Sequence, residues 1–265
     1  MKKSLLYILA VLVGSLLFGA CDKHDSASDP TPNSYSEFFI NPPVFNTPSG
    51  TKVYWDDDGL WWSHSRDLVR INGVQFQIIQ GTDSTGAVQW KTQGGQQADK
   101  VGDLFYCCYI GQSTQSVIWE DSIPYLYKGV NLNNIVPLVG VSRDNKMTLK
   151  PCCAVLKIIN LDRQIVVSFP ATVKFYYKGD LNVESALLET PSGISKYQFR
   201  VNPANNNTPV YVILPMTSNR CEVEQITFAY QDNNGVSQSR VTREGGVIIK
   251  KGYVYVIDFA QLQDN

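Results

Sequence analysis

The sequence predicts an all-β protein built from antiparallel strands. Short runs of alternating or clustered β-branched and aromatic residues recur throughout the chain after residue 34. The clearest runs are 69–71, 74–78, 87–90, 172–177, 197–201, 210–214, 225–230 and 252–257. Turn-forming residues separate them, and no apolar stripe of helical period extends over three turns beyond the N-terminal twenty residues. We therefore expect antiparallel sheets stacked in pairs around apolar cores.

The N-terminus has the layout of a secretory signal. Lys2 and Lys3 precede an apolar run over residues 5–18, which is too short for a transmembrane helix of about 20 residues. The sequence Leu17-Phe18-Gly19-Ala20-Cys21 resembles the lipobox of bacterial lipoproteins, although Leu is usual where Phe18 stands. We predict a signal peptide over residues 1–20 and a lipid on Cys21. The alternative is an ordinary signal peptide cleaved near Ala20, with Cys21 left unmodified.

The residues that follow Cys21 predict a flexible tether. Residues 21–34 include one alanine and no larger aliphatic or aromatic side chain, so they cannot bury enough apolar surface to offset the entropy of ordering. Lipid on Cys21 then makes a membrane the first partner of the chain. We expect an exported protein anchored to the outer membrane by lipid and exposed on the cell surface.

The remaining 35–265 region has the composition of a folded body. About 230 residues suit two domains, which we predict over 35–148 and 149–265. The connection near Lys146 to Pro151 is the predicted division. The formal net charge of −1 gives no concentrated basic surface, so nucleic acid is not an expected partner.

Catalytic chemistry has little support in the sequence. His24 and His64 are the only histidines, and the first lies in the predicted tether. We find no nucleophile elbow, no zinc-protease motif and no phosphate loop. The run Asp56–Asp58 lacks the alternating ligand spacing of a calcium loop and is read as a solvated turn. We therefore predict a protein that is not an enzyme and that holds no cofactor or metal.

Five cysteines remain if Cys21 carries lipid. Two pairs are adjacent in sequence, and adjacent residues on a strand point to opposite faces, so four thiolates cannot converge on one metal ion. We expect one member of each pair to face a core as a small apolar residue. A disulfide between the pairs stays open, and its connectivity cannot be derived from the sequence. The five cysteines are Cys107, Cys108, Cys152, Cys153 and Cys221.

All five tryptophans lie in the first predicted domain. Exposed tryptophans stack on sugar rings, which makes Trp61 and Trp62 candidates for glycan binding. Tryptophan is more often a core or interface residue, and adjacent rings on a strand would point to opposite faces. A glycan-binding surface lipoprotein is therefore the alternative function.

The order of several motifs is similar to that of fimbrillin-like lipoproteins. These motifs are the 62–73 segment, Leu104–Tyr109, Ile135–Ser142, Met147–Ile158, Val210–Pro215 and Gly252–Ile257. The resemblance covers about 200 residues. It implies two tandem transthyretin-like antiparallel β-sandwich domains on the surface of gut or oral anaerobes. It also implies a role in adhesion, or as an anchor, tip or accessory component of fimbriae, through contacts with other fimbrial subunits or with surface ligands of a host or partner.

One departure from the fimbrillin pattern concerns assembly. The fimbrillins that polymerise lose an N-terminal strand to an arginine-specific protease, and this sequence has no arginine between Cys21 and Ser65. Phe38, Ile40 and Phe45 form the candidate strand-exchange segment. Because proline cannot donate to a ladder, we expect this segment to be an edge strand broken at Pro42.

Overall fold

The computed structural model describes residues 32–41, 43–49, 52–54, 68–82, 87–109, 116–120, 125–127, 137–176, 178–191, 195–203, 209–242 and 245–264. Within these ranges the regular structure is β, apart from two 3-10 turns at Gln93–Gly95 and Phe259–Gln261. The all-β prediction is confirmed. Residues Asn33–Asn265 form one compact unit.

The strands up to residue 151 come mostly from the predicted first domain. They are β1 (Ser34–Tyr35), β2 (Glu37–Asn41), β3 (Val44–Asn46), β4 (Lys52–Tyr54), β5 (Leu68–Ile71), β6 (Val74–Thr82), β7 (Val88–Thr92), β8 (Ala98–Asp99), β9 (Phe105–Cys108), β10 (Ser116–Glu120), β11 (Tyr125–Tyr127), β12 (Leu138–Ser142), β13 (Lys146–Thr148) and β14 (Lys150–Pro151). Eight of them form one sheet in the order β13-β2-β7-β6-β5-β9-β12-β14. Every pair in this sheet is antiparallel except β13 with β2.

The remaining strands follow Pro151. They are β15 (Cys153–Ile159), β16 (Ile165–Ser168), β17 (Phe175–Tyr176), β18 (Lys178–Asn182), β19 (Leu187–Pro191), β20 (Ser195–Lys196), β21 (Gln198–Val201), β22 (Val210–Pro215), β23 (Arg220–Val223), β24 (Thr227–Gln231), β25 (Ser237–Val241), β26 (Val247–Lys250), β27 (Val254–Asp258) and β28 (Gln263–Asp264). A four-stranded sheet has the order β11-β22-β15-β27, and a five-stranded sheet has the order β21-β16-β24-β25-β28. Smaller sheets join β10-β18-β19, β1-β8, β3-β4, β17-β20 and β23-β26.

Two clusters of buried apolar side chains fill the space between the sheets. The first core consists of Phe38, Ile40, Phe45, Val69, Ile71, Phe76, Ile78, Val88, Trp90, Ala98, Phe105, Cys107, Tyr109, Leu138, Met147, Leu149, Cys153, Val155, Tyr211, Ile213 and Val254. The second core includes Tyr106, Cys108, Val139, Cys152, Ala154, Leu156, Ile158, Ile165, Val167, Phe199, Val201, Val210, Val212, Leu214, Phe228, Tyr255 and Phe259.

The four-stranded sheet lies between these two cores. On β22, Tyr211 and Ile213 belong to the first core, whereas Val210, Val212 and Leu214 belong to the second. β15 divides its side chains in the same way. A strand buried on both faces needs a continuous apolar run instead of an alternating one, and the sequence of β22 is continuous in this sense.

Two hairpins test the predicted turn chemistry. Asn72 and Gly73 join β5 to β6 with φ values of 45° and 85°, as a two-residue type I′ turn requires. The predicted hairpin over 231–236 is also present, joining β24 to β25. Its geometry differs from the primed turn that we expected, because only Gly235 has a positive φ, of 76°. Gly235 N–H donates to the Asp232 carbonyl at 3.0 Å, so the tip is a longer loop closed by one left-handed glycine.

Hydrogen-bonded pairs cross the predicted domain division. β10 pairs with β18, and β11 pairs with β22, although β10 and β11 precede residue 148. The division into 35–148 and 149–265 therefore stays a prediction, as does the tandem transthyretin-like arrangement. The β strands nevertheless build two cores with the four-stranded sheet between them.

Candidate functional site

The candidate strand-exchange residues lie together in the first core. β2 alternates so that Phe38 and Ile40 point inward, and both are 0% exposed. Phe45 on β3 is also 0% exposed. These three side chains come from one short stretch near the start of the folded unit. The first core is therefore closed partly by residues that are close to the predicted tether.

The position of β2 in its sheet corrects one expectation. We predicted an edge strand, but β2 pairs antiparallel with β7 on one side and parallel with β13 on the other. The edge position belongs to β13, the Lys146–Thr148 segment, whose residues lie 107 positions after their partners in β2. The sequence around Pro42 could not indicate this partner, because parallel pairing joins segments that are distant in sequence.

Aromatic contacts fix Phe38 in the first core. Its ring lies 5.1 Å from the ring of Phe76 and 5.1 Å from that of Phe105, both in edge-to-face geometry. The ring of Tyr35 on β1 lies 5.8 Å away in the same geometry. Such arrangements are favoured by the aromatic quadrupole beyond the burial of area. Phe38 is thus the centre of an aromatic cluster formed by β1, β2, β6 and β9.

Backbone hydrogen bonds attach this stretch to distant parts of the chain. Phe39 N–H donates to the Asn145 carbonyl at 2.8 Å, next to β13. Asn46 N–H donates to the Gly252 carbonyl at 2.8 Å, immediately before β27. The first strands are therefore hydrogen-bonded to the C-terminal strand region as well as to their own sheet.

Several residues singled out in the sequence lie outside the described ranges. These are Cys21, Trp61, Trp62, His24, His64 and Asp56–Asp58. The predictions of lipidation at Cys21 and of sugar stacking at Trp61 and Trp62 are therefore untested. Trp90 is described, and it is 0% exposed in the first core, so its ring cannot stack on an external sugar.

The paired cysteines are buried on both faces of their strands. Cys107 and Cys153 lie in the first core, and Cys108 and Cys152 lie in the second. We expected one member of each pair to face a core, but both do, because their strands run between the two cores. Burial raises the pKa of the Cys107, Cys152 and Cys153 thiols, which disfavours the thiolate that a metal would need.

The disulfide that the sequence left open does not form. The five described cysteines are thiols without a disulfide bond, and Cys221 is the partly exposed one. β12 lies between β9 and β14, so Cys108 and Cys152 are separated by two strand spacings of about 4.8 Å each. That separation exceeds the roughly 7 Å limit for bridging two Cα atoms. Among the described residues, no group of three or more His, Cys, Asp or Glu side chains could hold a metal ion.

A polar groove that the sequence did not reveal lies on the five-stranded sheet. Its cavity has a volume of about 490 Å³ and is lined by residues of β16, β21, β24 and β25 and of the turn before β16. Val166 lies directly opposite both Arg200 and Ala229 in the strand register. Gln231 lies opposite Ser237. We call this feature the Arg200 groove.

The groove occupies the sheet face that points away from the second core. Ile165, Val167 and Phe228 on the same strands are buried, so the alternate residues Val166 and Ala229 face outward. Arg200 alternates in the same way between buried Phe199 and Val201. In sequence these outward positions look like an ordinary solvated strand face, which is why the alternation alone could not identify a groove.

The sequence matches no protein-family profile and no curated protein. Among solved structures, the chain is similar to a candidate cell adhesion protein from Bacteroides uniformis. The two share 11% identity with a TM-score of 0.50, over 87% of this chain and 95% of that chain. A C-terminally truncated tip fimbrial protein, Mfa3 from Porphyromonas gingivalis, is similar at 10% identity and a TM-score of 0.39, over 84% and 94% of the two chains. A TM-score of 0.39 is too low to support an argument about this chain.

Across the described ranges, we find no helix with the length and apolar content needed to cross a membrane. The chain has the fold of the candidate adhesion protein from Bacteroides uniformis, and the predicted resemblance to fimbrillin-like proteins is confirmed at the level of the fold.

Proposed function

We propose that the chain is a non-enzymatic, lipid-anchored surface protein that acts in adhesion or as an anchor, tip or accessory component of fimbriae. The observation that carries this proposal is the fold shared with a candidate cell adhesion protein over 87% of this chain and 95% of that chain. Contacts with other proteins or surfaces are the activity that we propose for this body.

Surface location is the first part of the proposal to test. Intact cells that express the chain would be treated with an external protease or a specific antibody. We expect the folded body to be cleaved or labelled without cell lysis. Laddered high-mass species would identify a polymerising subunit, and a single monomeric species would identify an accessory. Protection of the chain in intact cells would contradict the proposal.

The lipid tether can be tested by one substitution. Cys21→Ala should release the chain from the membrane fraction or stall its processing, because the thiol of Cys21 is the predicted acylation site. Cys221→Ala is the matched control, since Cys221 is a partly exposed cysteine of the folded body. Partition of the Cys21→Ala variant into detergent at the level of the unmodified protein would refute the tether.

Assembly by strand exchange is the finer part of the proposal. Phe38, Ile40 and Phe45 fill the first core from a stretch close to the tether, and β2 is bordered on its outer side by β13, a strand of three residues. A strand from another subunit with the same apolar spacing would fit the same position. Because no arginine lies between Cys21 and Ser65, we expect the strand to stay in place in the protein as made.

A truncation tests this exchange. Burial of three large apolar side chains contributes roughly 2 kcal/mol each, so their loss approaches the 5–15 kcal/mol that stabilises a typical domain. A chain that begins after Gly50 should therefore be unstable alone and regain its structure with an added peptide spanning 35–45. The control peptide carries alanine at Phe38, Ile40 and Phe45. Equal stability of the truncated and mature chains, with no response to either peptide, would contradict strand exchange.

A further inference from the structure

We propose that the Arg200 groove binds a carboxylated glycan, such as a chain containing a uronic or sialic acid. The inference goes beyond the proposed fimbrial role and does not depend on it, because the groove lies on a different sheet from the strands discussed above. Its volume of about 490 Å³ falls within the range of small-ligand sites, which is roughly 300 to 1,000 Å³.

The floor of the groove is formed by small apolar side chains. Val166 and Ala229 are neighbours on β16 and β24, and both are partly buried on the outward face. Small side chains flanked by larger polar ones create a trough in a sheet surface. Such a floor can contact the apolar C–H face of a sugar ring, while the polar rim reaches the hydroxyl groups.

The rim presents three polar groups that make no side-chain hydrogen bond to another described residue. They are the guanidinium of Arg200, the carboxamide of Gln231 and the hydroxyl of Ser237. Two other polar side chains at the rim are occupied, since Gln164 donates to Asn202 and Gln238 donates to Asp232 at 3.4 Å. The three groups can therefore bind a ligand without breaking a contact within the described part of the chain.

The charge of Arg163, on one wall of the groove, is paired with a carboxylate. Arg163 donates to both carboxylate oxygens of Asp162, at 2.8 and 2.7 Å. Its guanidinium carbon also lies 5.2 Å from the centre of the Tyr230 ring. Arg200 thus supplies the positive charge that is not paired within the described part of the groove.

The positions of the charges orient the ligand. Arg200 on β21 and Ser237 on β25 are separated by three strand spacings and by two positions along the strand, or roughly 16 Å. Asp232 lies beyond Gln231 at the Ser237 end, where its carboxylate accepts hydrogen bonds from Asn234 N–H and Val236 N–H at 2.9 Å each. A ligand carboxylate is therefore favoured at the Arg200 end and disfavoured at the other end. Hydroxyl groups suit the amide and hydroxyl side chains of Gln231 and Ser237.

Backbone pairing favours a glycan over an acidic peptide. An extended peptide gains most from the free backbone groups of a strand edge. The floor strands β16 and β24 are paired on both sides, so their backbone groups are already used within the sheet. Recognition on this face must use side chains, and the available side chains match a carboxylate and hydroxyl groups.

The test measures binding of the purified mature chain to short oligosaccharides by calorimetry. The probes are an oligogalacturonate, a sialylated oligosaccharide and a neutral galactose oligomer of matched length. We expect one of the two acidic sugars to bind and the neutral oligomer to bind at least tenfold more weakly. Arg200→Gln should weaken acidic-sugar binding at least tenfold, and Gln231→Ala should weaken it severalfold.

The matched control is Arg220→Gln. Arg220 on β23 is exposed and lies 3.8 Å from the carboxylate of Glu222, so its loss should change binding less than twofold. The denaturation midpoints of all variants would confirm that they fold. Failure of both acidic sugars to bind, or equal binding by the Arg200→Gln variant, would overturn the proposal. Binding of poly-glutamate as tight as that of the acidic sugar would also overturn it, since the groove would then recognise any anion.

Discussion

Replacement of Phe38 by alanine should destabilise the protein far more than replacement of its neighbour Phe39. The two phenylalanines share one strand, one residue type and nearly the same sequence position. Phe38 faces the first core at 0% exposure, whereas Phe39 is only partly buried on the other face of the sheet. The comparison therefore isolates burial in the core from any effect of strand propensity.

The size of the effect follows from the contacts of Phe38. Truncation of a buried phenylalanine to alanine costs about 3 to 5 kcal/mol, which includes the cavity left behind. Phe38 packs edge-to-face on two phenylalanine rings at 5.1 Å and on Tyr35 at 5.8 Å, so we expect the upper half of that range, about 4 kcal/mol. Phe39→Ala leaves these rings in place and should cost about 1 kcal/mol.

Urea denaturation of the mature chain measures both values. With a slope of about 2 to 3 kcal/mol/M, a loss of 4 kcal/mol lowers the midpoint by about 1.3 to 2 M. The slopes of the two variants should match that of the unmodified chain. If Phe38→Ala lowered the midpoint no more than Phe39→Ala, β2 would not contribute to the core, and the argument for strand exchange would fail with it.

Three further outcomes are expected from the described residues. Asn72→Ala should lower the free energy of unfolding by about 2 to 4 kcal/mol in a denaturation experiment. Asn72 has a φ of 45°, and its side chain makes hydrogen bonds of 2.7, 3.1 and 2.9 Å. The control, Asn234→Ala at the other hairpin tip, should change the stability little. In a chain with Cys21 replaced by serine, a thiol reagent should label Cys221 in the folded state and the four buried cysteines only after unfolding. Rapid labelling of all five cysteines in the folded state would refute the burial of the cysteine pairs in the two cores. A hydrogen bond from Arg163 lowers the pKa of Asp162, so the stability from this pair is present above about pH 3.8 and is lost as the pH falls through the lower folded pKa. Asp162→Asn should therefore reduce stability at pH 7 by about 1 kcal/mol or less, and the difference should disappear in acid.

Local sequence patterns predicted the strands well because each pattern has a local cause. Alternation of apolar residues over 74–78 and 197–201 corresponds to β6 and β21, and the Asn72-Gly73 turn has the positive φ values that its residues allow. The 172–177 run was less well predicted, since the described strand there is only Phe175–Tyr176. Its first half includes the turn that Val173 N–H closes on the Pro170 carbonyl at 2.8 Å.

Pairing between distant segments could not be predicted from the sequence. Nothing in the residues of β2 indicates that β13 would cover its outer side, and nothing in the cysteine pairs indicates a second core. The continuous apolar run of β22 contained part of this information, because burial of both faces removes the alternation that one solvated face imposes.

The candidate sites also differ in how far a local sequence pattern could predict them. Phe38 and Ile40 could be predicted as buried because alternation on one strand specifies a face. The Arg200 groove required the register of three strands, since Arg200, Val166, Ala229 and Gln231 come together only when β21, β16 and β24 pair as they do. A one-residue slip of β16 would turn Val166 inward and remove the floor of the groove.

The placement of the first strands also bears on how a binding event there would reach the rest of the protein. Val254 on β27 belongs to the first core together with Phe38 and Phe45, and Asn46 N–H donates to the Gly252 carbonyl just before β27. β27 in turn pairs with β15, whose other face belongs to the second core. Displacement of β2 and β3 would therefore remove side chains from one core and loosen a strand that also supports the other. Because parallel pairing of β15 with β27 joins residues about 100 positions apart, this link is a product of the tertiary fold and forms only when these distant segments are in place.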